Sequence, residues 1–242
     1  MQCMLVVILV AVLSAVAQAA AEDGRTSEAE TAVLLHGLAR TDRSMRALEQ
    51  RLSEAGFRAH NLRYASTTEG PEALVREIAS QVQQCCATAP RLHFVTHSLG
   101  GILIRGYLAG TELPNLGRVV MLSPPNHGSE LVDVLGDWKL FQWLLGPTAR
   151  QLGTDEESFL NRLPPPNYEV GVIAGNKSIN PLGSCVIPGE NDGTVSVSSA
   201  KLPGMADFFL VPHSHAFIMR SDQVAEQVIE FLRRGRFRRE GR

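Results

Sequence analysis

The sequence predicts an α/β fold in which a mostly parallel sheet of about six strands is covered by helices on both faces. In the first half of the chain, short apolar runs alternate with segments whose apolar residues recur at helical spacing. The runs are apolar almost throughout, which indicates strands buried on both faces, as in a parallel sheet. A chain of 242 residues with 44% hydrophobic content suits one globular domain.

The strands and helices follow from these runs in order. Pro71 suits the first turn of a helix, and Gly56 and Gly235 stand where helices end. The predicted strands are 31–35, 57–64, 92–95, 119–122, 170–173 and 208–211. The segments with helical spacing are 45–55, 71–82, 102–108 and 224–232. These segments predict one folded domain over 30–235, followed by a basic, solvated tail over 236–242.

The N-terminal residues 1–21 are predicted to be a secretory signal peptide. They carry no charge, the stretch from Met4 to Val16 is almost wholly apolar, and small residues then offer a cleavage site after Ala19 or Ala21. The expected location is therefore the periplasm or the medium. Because no Lys or Arg precedes the apolar run, an uncleaved N-terminal anchor is the alternative, although the run is shorter than the roughly 20 residues that a span needs.

Charge and cysteine content argue against nucleic-acid binding and against a cysteine–histidine metal site. The net charge of −2 gives no reason to expect nucleic acid as a partner. Beyond the signal peptide, Cys85, Cys86 and Cys185 allow one bridge plus a free thiol, or no bridge. Adjacent cysteines on a helix are not expected to face one partner, so all three are interpreted as small buried residues. No cysteine–histidine spacing typical of a metal site is present.

Ser98 is the strongest candidate for a functional residue. The segment from Thr96 to Gly101 lies between the third predicted strand and a helix, where a sharp turn can expose a nucleophilic serine. Residues two before and two after such a serine must be small, because the strand and helix nearly touch. Gly100 meets this requirement, whereas Thr96 departs from the usual glycine. The alternative is a serine that merely caps the helix.

A serine nucleophile needs a histidine base. Of the seven histidines, only His213 and His215 lie between the last predicted strand and the last helix, where this arrangement places its base. His215 is preferred, because the apolar pair Ile218 and Met219 can pack inward and leave it at the mouth of the loop. His213 is interpreted as a solvated loop residue.

The base in turn needs a carboxylate that orients it. Asp192 lies in a polar, glycine-containing loop after the fifth strand and before His215, which makes it the preferred acid. A plain turn is the alternative explanation for this Asp-Gly pair. Asp207, at the head of a strand, is the second candidate for the acid, and Glu130 is the third.

An oxyanion that forms during acyl transfer needs two backbone N–H donors. The residue after the nucleophile, Leu99, is expected to supply one. Leu38, in the loop after the first strand, is expected to supply the other, since Gly37 lets that backbone approach closely.

With these motifs in place, the chain resembles a bacterial lipase/esterase family of the α/β-hydrolase fold over most of residues 31–235. The resemblance implies a catalytic domain that hydrolyses carboxylic esters through an acyl-enzyme, with small-molecule or lipid esters as substrates and with no cofactor or metal. The matching segments, in family order, are His36-Gly37-Leu38, Thr96 to Gly101, Pro125 to Ser129 with Asp133, Asp192-Gly193-x-Val195 and His215-x-x-Ile218-Met219.

The long connection over 124–167 is the variable part of the chain. It is predicted to be either a helix packed on the core or a cap or lid that lines an acyl-binding groove and touches a lipid surface transiently. Asn126, Trp138 and Trp143 are the candidate substrate contacts.

Three other functions remain open within the same chemistry, because a thioesterase, an amidase and an acyltransferase would share the acyl-enzyme. A non-catalytic binding protein on the same scaffold is the alternative from another class.

Overall fold

The computed structural model describes residues 29–129 and 159–239. These residues form one six-stranded sheet in which every neighbouring pair of strands is parallel, in the order β2-β1-β3-β4-β5-β6. All six predicted strands are confirmed, and so is the α/β class. The strands are β1 (Thr31–Leu35), β2 (Arg58–Asn61), β3 (Leu92–His97), β4 (Leu116–Leu122), β5 (Val170–Gly175) and β6 (Asp207–Val211).

Helices connect the strands, and their ends follow from local sequence. Pro71 opens α2 at its first turn, and Gly235 ends α6 with a φ of 72°. None of the helices in the described ranges is long and apolar enough to cross a membrane. The helices are α1 (Arg46–Glu54), α2 (Pro71–Cys86), α3 (Leu99–Ala109), α4 (Pro181–Val186), α5 (Val197–Ala200) and α6 (Asp222–Arg234), with short 3₁₀ turns at Asp42–Met45, Phe159–Arg162 and Ile218–Arg220.

Two apolar layers cover the two faces of the sheet, as predicted. On one face, α2 and α3 bury side chains such as Leu74, Ile78 and Ile102. On the other face, α1 and α6 bury side chains such as Leu52 and Phe231. Because all six strands run in one direction, their carboxyl ends share one edge of the sheet, and the loops that follow them converge there.

The predicted tail at 236–242 begins too early. Phe237 is buried against Phe231, and its amide donates to the Asp207 carboxylate. Arg239 forms an ion pair with the same carboxylate. The chain therefore packs on the domain as far as residue 239, because an aromatic side chain within the basic run finds an apolar site. The predicted signal peptide at 1–21 lies outside the described residues.

The prediction for the cysteines is also corrected. Only Cys86 is buried; Cys85 is exposed, and Cys185 is an exposed free thiol. Cys85 and Cys86 are joined to each other by a disulfide. Adjacent cysteines that do not face a common third partner can still bond to each other. The pair occupies the last two positions of α2, where the helix ends and the backbone is no longer held by further turns.

Candidate active site

Ser98 lies on the turn between β3 and α3, in a backbone conformation that few residues adopt. Its φ is 52° and its ψ is −121°. A non-glycine residue with such a positive φ is held in place only by strong surrounding contacts. Ser98 is also largely buried, with 8% of its surface exposed. This geometry is the one predicted for a nucleophile presented at the edge of a sheet.

The close packing expected around this turn is present. A Cβ added at Gly100 would lie 2.8 Å from the Leu35 carbonyl oxygen and 2.9 Å from that of His36. A Cβ added at Gly101 would lie 3.0 Å from the Pro124 Cβ, whereas the Thr96 Oγ1 would be in ordinary contact with it at 3.4 Å. The absence of a side chain at Gly101 thus lets α3 pack closely against the segment that follows β4.

His215 and Asp192 extend from Ser98 in one line of hydrogen bonds. The His215 Nε2 lies 3.0 Å from the Ser98 Oγ, and the His215 Nδ1 lies 2.8 Å from the Asp192 Oδ2. An ionised carboxylate only accepts hydrogen bonds, so Nδ1 carries the proton and Nε2 is left to accept from the serine hydroxyl. This tautomer is the one that can remove the hydroxyl proton.

Asp192 is held as an ionised carboxylate in a buried place. Its side chain is 1% exposed, and its Oδ1 accepts hydrogen bonds from the amides of Thr194 and Val195 at 3.0 and 2.8 Å. Burial acts to raise the pKa of Asp192, but the adjacent His215 ring and the hydrogen bonds from the Val195 amide and the Ser123 side chain outweigh it and lower the pKa below its usual value. The carboxylate therefore keeps its charge beside the imidazole.

The other candidates for acid and base have different partners. Asp207 accepts from the Phe237 amide and pairs with Arg239, and His213 bonds the Ser221 hydroxyl at 2.8 Å. Glu130 lies outside the described residues. Among the described candidates, only Asp192 and His215 are brought to Ser98.

The loop after β1 lies directly against Ser98. A Cβ at Gly37 would be 2.9 Å from the His97 Nδ1 and 3.1 Å from the Ser98 Cβ, so any larger residue would have to displace His97. Leu38 is the next residue of this loop. Leu99 is the first residue of α3, where an amide has no acceptor within the helix. Their action as oxyanion donors stays a prediction.

Two side chains that follow β2 fix this loop. The Tyr64 hydroxyl donates to the His36 carbonyl, and the Tyr64 ring stacks on the His36 ring with centroids 4.0 Å apart. The Ser66 Oγ accepts from the Ala39 amide at 3.1 Å, which holds Ala39 at a φ of 53°. Complete burial raises the pKa of Tyr64 well above its usual value, so its hydroxyl remains a donor.

His97 has a place in the site that the sequence analysis missed. It is buried, and its Nε2 donates to the His215 carbonyl oxygen at 3.1 Å. Burial first, and the neighbouring His215 second, lower the pKa of His97 well below its ordinary value, so it stays neutral. The His215 amide donates in turn to the Asp192 carbonyl oxygen at 3.0 Å, so both sides of the His215 backbone are tethered. Only its position next to the nucleophile could have drawn attention to His97.

Of the three predicted substrate contacts, Asn126 lies within the described residues. Asn126 is 2% exposed; its Nδ2 donates to the Ala200 carbonyl, and its Oδ1 accepts from the buried Arg105. Its amide thus ties the loop after β4 to α3 and α5. Its contact with substrate stays a prediction. Trp138 and Trp143 lie outside the described residues.

A comparison with protein families gives one match. The model of the family described as palmitoyl protein thioesterase matches residues 31–156, which is more than half of the 242-residue chain. The matched part contains the loop after β1 and Ser98, but not Asp192 or His215. No curated protein matches the chain significantly.

Solved structures of three bacterial or metagenomic enzymes share the fold. A lipase from Bacillus licheniformis in its mature form is 20% identical with a TM-score of 0.69, over 85% of this chain and 93% of that one. Phospholipase PlaB from Legionella pneumophila, in complex with thio-NAD, is 19% identical with a TM-score of 0.68, over 84% of this chain and 58% of that longer one. A metagenomic carboxyl esterase is 17% identical with a TM-score of 0.61, over 80% of this chain and 66% of that one. At these identities the likeness establishes the fold.

Proposed function

The chain belongs to the palmitoyl protein thioesterase family of α/β hydrolases, and we propose that it cleaves carboxylic esters through an acyl-enzyme on Ser98. One observation carries the proposal: the His215 ring bridges the Ser98 hydroxyl and the buried Asp192 carboxylate at 3.0 and 2.8 Å. A nucleophile, a base and an acid that orients the base are the groups that acyl transfer needs.

In the first half of the proposed reaction, the Ser98 Oγ attacks the carbonyl carbon of the ester while the His215 Nε2 takes the hydroxyl proton. The carbonyl oxygen becomes an oxyanion, which accepts from the Leu38 and Leu99 amides. Asp192 stabilises the imidazolium that forms. When the tetrahedral intermediate collapses, the carbon–oxygen bond to the leaving group breaks, and Nε2 returns the proton to the departing alcohol.

In the second half, water replaces the alcohol. The His215 Nε2 takes a proton from water as the water oxygen attacks the acyl carbon, and the same two amides hold the oxyanion. The bond to the Ser98 Oγ then breaks, and Nε2 gives its proton back to the serine. Carboxylic acid is released, and the site regains its starting protonation.

A thioester substrate is the second candidate, and the family match is the observation that favours it. The same three groups would act, but a thiol would leave in place of an alcohol. The names of the structural relatives, a lipase, a phospholipase and a carboxyl esterase, favour oxygen esters of lipids. An amide substrate or transfer to an acceptor other than water would also use this acyl-enzyme.

Two measurements test the proposal. A fluorophosphonate should label Ser98 covalently in the wild-type protein and give no label in Ser98→Ala, as read by peptide mass spectrometry. Absence of label on Ser98 would favour a non-catalytic binding protein. A panel of p-nitrophenyl esters and matched acyl-thioesters of increasing chain length should then show turnover that Ser98→Ala lacks, and the ratio of the two series identifies the leaving group.

The acyl group is proposed to lie in a groove under a cap formed by residues within 124–167, with transient contact to a lipid surface. Trp143→Ala should shift the preferred chain length in the same ester panel. An unchanged preference would remove Trp143 from the groove.

Export is proposed on the strength of the apolar N-terminus alone. Sequencing the N-terminus of the exported protein tests it. A new terminus after Ala19 or Ala21 is expected, and a retained Met1 would favour the anchor.

A further inference from the structure

A second cluster of reactive side chains lies on the other side of β1 from Ser98. His60 is on the edge strand β2, and Cys85 and Cys86 end the helix α2. The sequence separates the histidine from the cysteines by more than 20 positions, so no spacing motif revealed them. In the fold, one ligand atom of His60 and the two cysteine Sγ atoms all lie within 4.8 Å of one another.

The half-buried His60 is one of six described residues that hold a buried polar side-chain atom without a hydrogen-bond partner. Its Nε2 is buried and has no hydrogen-bond partner. A buried polar atom without a partner is unfavourable, and most such atoms in folded proteins are paired. Within the described ranges, these three residues are also the one group of histidine, cysteine and acidic side chains close enough to share a metal ion.

The state of the sulfurs decides what the cluster can bind. In the disulfide, neither sulfur is a thiolate, and thiolate is the form that ligates metals. A thiol or phosphine reductant supplies two electrons; together with two protons these break the sulfur–sulfur bond and give two thiols. Each thiol then releases a proton when it binds a cation.

From this geometry we propose that reduced Cys85 and Cys86, together with one ring nitrogen of His60, form a binding site for a thiophilic divalent cation such as Zn²⁺. Two thiolates and one imidazole are the donor types that Zn²⁺ takes, with a fourth position open to water. The cluster offers no carboxylate oxygen, so Mg²⁺ and Ca²⁺ are not suited to it. The disulfide and the metal compete for the same two sulfurs, which makes cation binding dependent on redox state.

A bound cation would join the edge of the sheet to the end of α2. Among the described strands, β2 pairs only with β1, which leaves its other edge without a strand from that part of the chain. Since a ligand that binds the folded state raises its stability by mass action, the reduced protein should melt at a higher temperature with Zn²⁺ than without it.

The test is Zn²⁺ titration of the full chain by calorimetry, beside thermal melts, before and after treatment with a phosphine reductant. The reduced wild-type protein should bind about one Zn²⁺ more than Cys85→Ser/Cys86→Ser, and His60→Gln should weaken that site at least tenfold. Cys185→Ser is the matched control, because it removes an exposed thiol outside the cluster and should leave the extra site intact. Absorption with Co²⁺ in place of Zn²⁺ reports thiolate ligation directly.

Three outcomes would overturn the proposal. The first is equal Zn²⁺ stoichiometry and affinity in the reduced wild-type protein and Cys85→Ser/Cys86→Ser. The second is undiminished affinity in His60→Gln. The third is the same binding before and after reduction. Melts without metal confirm that each variant folds; if Cys85→Ser/Cys86→Ser does not fold, Cys85→Ser alone takes its place.

Discussion

Gly100→Ala tests how tightly the turn at Ser98 depends on the absence of one methyl group. The added Cβ would lie 2.8 Å from the Leu35 carbonyl oxygen and 2.9 Å from the His36 carbonyl oxygen. Carbon–oxygen contacts between backbones settle at about 3.3 Å or more, so the start of α3 or the end of β1 must move by roughly 0.5 Å. Both neighbours are backbone atoms and no side chain can turn away.

The expected loss of stability follows from this overlap. Overpacking of this kind lowers the free energy of unfolding by about 1–3 kcal/mol. The better helix propensity of alanine offsets up to about 1 kcal/mol of this loss. A net loss of about 1–2 kcal/mol in the free energy of unfolding should lower the Tm by roughly 2–8 °C for a domain of this size. Because the displaced segments carry Leu38 and Leu99, kcat should also fall by about 10- to 100-fold, with KM nearly unchanged.

Gly110→Ala is the matched control at the other end of the same helix. Nothing lies within 4 Å of a Cβ built at Gly110, and its φ of −109° is open to alanine. This variant should be as stable as the wild-type protein or gain up to about 1 kcal/mol. Urea unfolding and turnover of a p-nitrophenyl ester, measured on both variants, give the comparison. If Gly100→Ala matched Gly110→Ala in both, the steric account of the turn would be wrong.

Three further predictions concern the groups around the nucleophile. Asp192→Asn should lower kcat on the same ester by about 10⁴-fold, because an amide no longer holds the required tautomer; a loss below tenfold would assign the acid to another residue. His97 stays neutral when folded and takes up a proton in the unfolded chain below its ordinary pKa of 6.5, so wild-type stability should fall as the pH drops from 7 to 5. The free energy of unfolding, measured with urea across that range, should depend on pH less steeply in His97→Gln, by up to about 1.4 kcal/mol per pH unit. Equal slopes in the two proteins would contradict this. Tyr64→Phe keeps the ring stack but removes the hydroxyl that donates to the His36 carbonyl. The free energy of unfolding should therefore fall by about 1–3 kcal/mol, and kcat should fall with it. An unchanged kcat would show that the loop after β1 keeps its position without this hydrogen bond.

Local patterns predicted the elements because each is determined by neighbours in the chain. The run Thr31–Leu35 forms β1 with the same bounds, since five consecutive apolar or β-branched residues suit a strand buried on both faces. The turn at Ser98 was predictable because the close approach of strand and helix demands small residues at fixed offsets. The order of strands was not, since pairing across the sheet depends on contacts far apart in the sequence.

Other features were missed for the same physical reason. The bond from His97 to the His215 carbonyl spans 118 positions, and nothing beside Ser98 indicates it. The proximity of His60 to Cys85 and Cys86 likewise arises only when β2 joins the sheet edge. Phe237 was assigned to a solvated tail because basic residues surround it in the sequence. Only the fold shows that its side chain is buried in the core.

Ser98 and His215 are far apart in the sequence, so the ribosome makes them at different times. The two residues are 117 positions apart, and at a synthesis rate of about 5–20 residues per second Ser98 is made roughly 6–23 seconds before His215. Throughout that interval the nascent chain holds a serine without a base. The base arrives only with the loop that follows β6, the last strand at one edge of the sheet. Activity of the proposed kind therefore requires the loop after β6 to be in place beside Ser98.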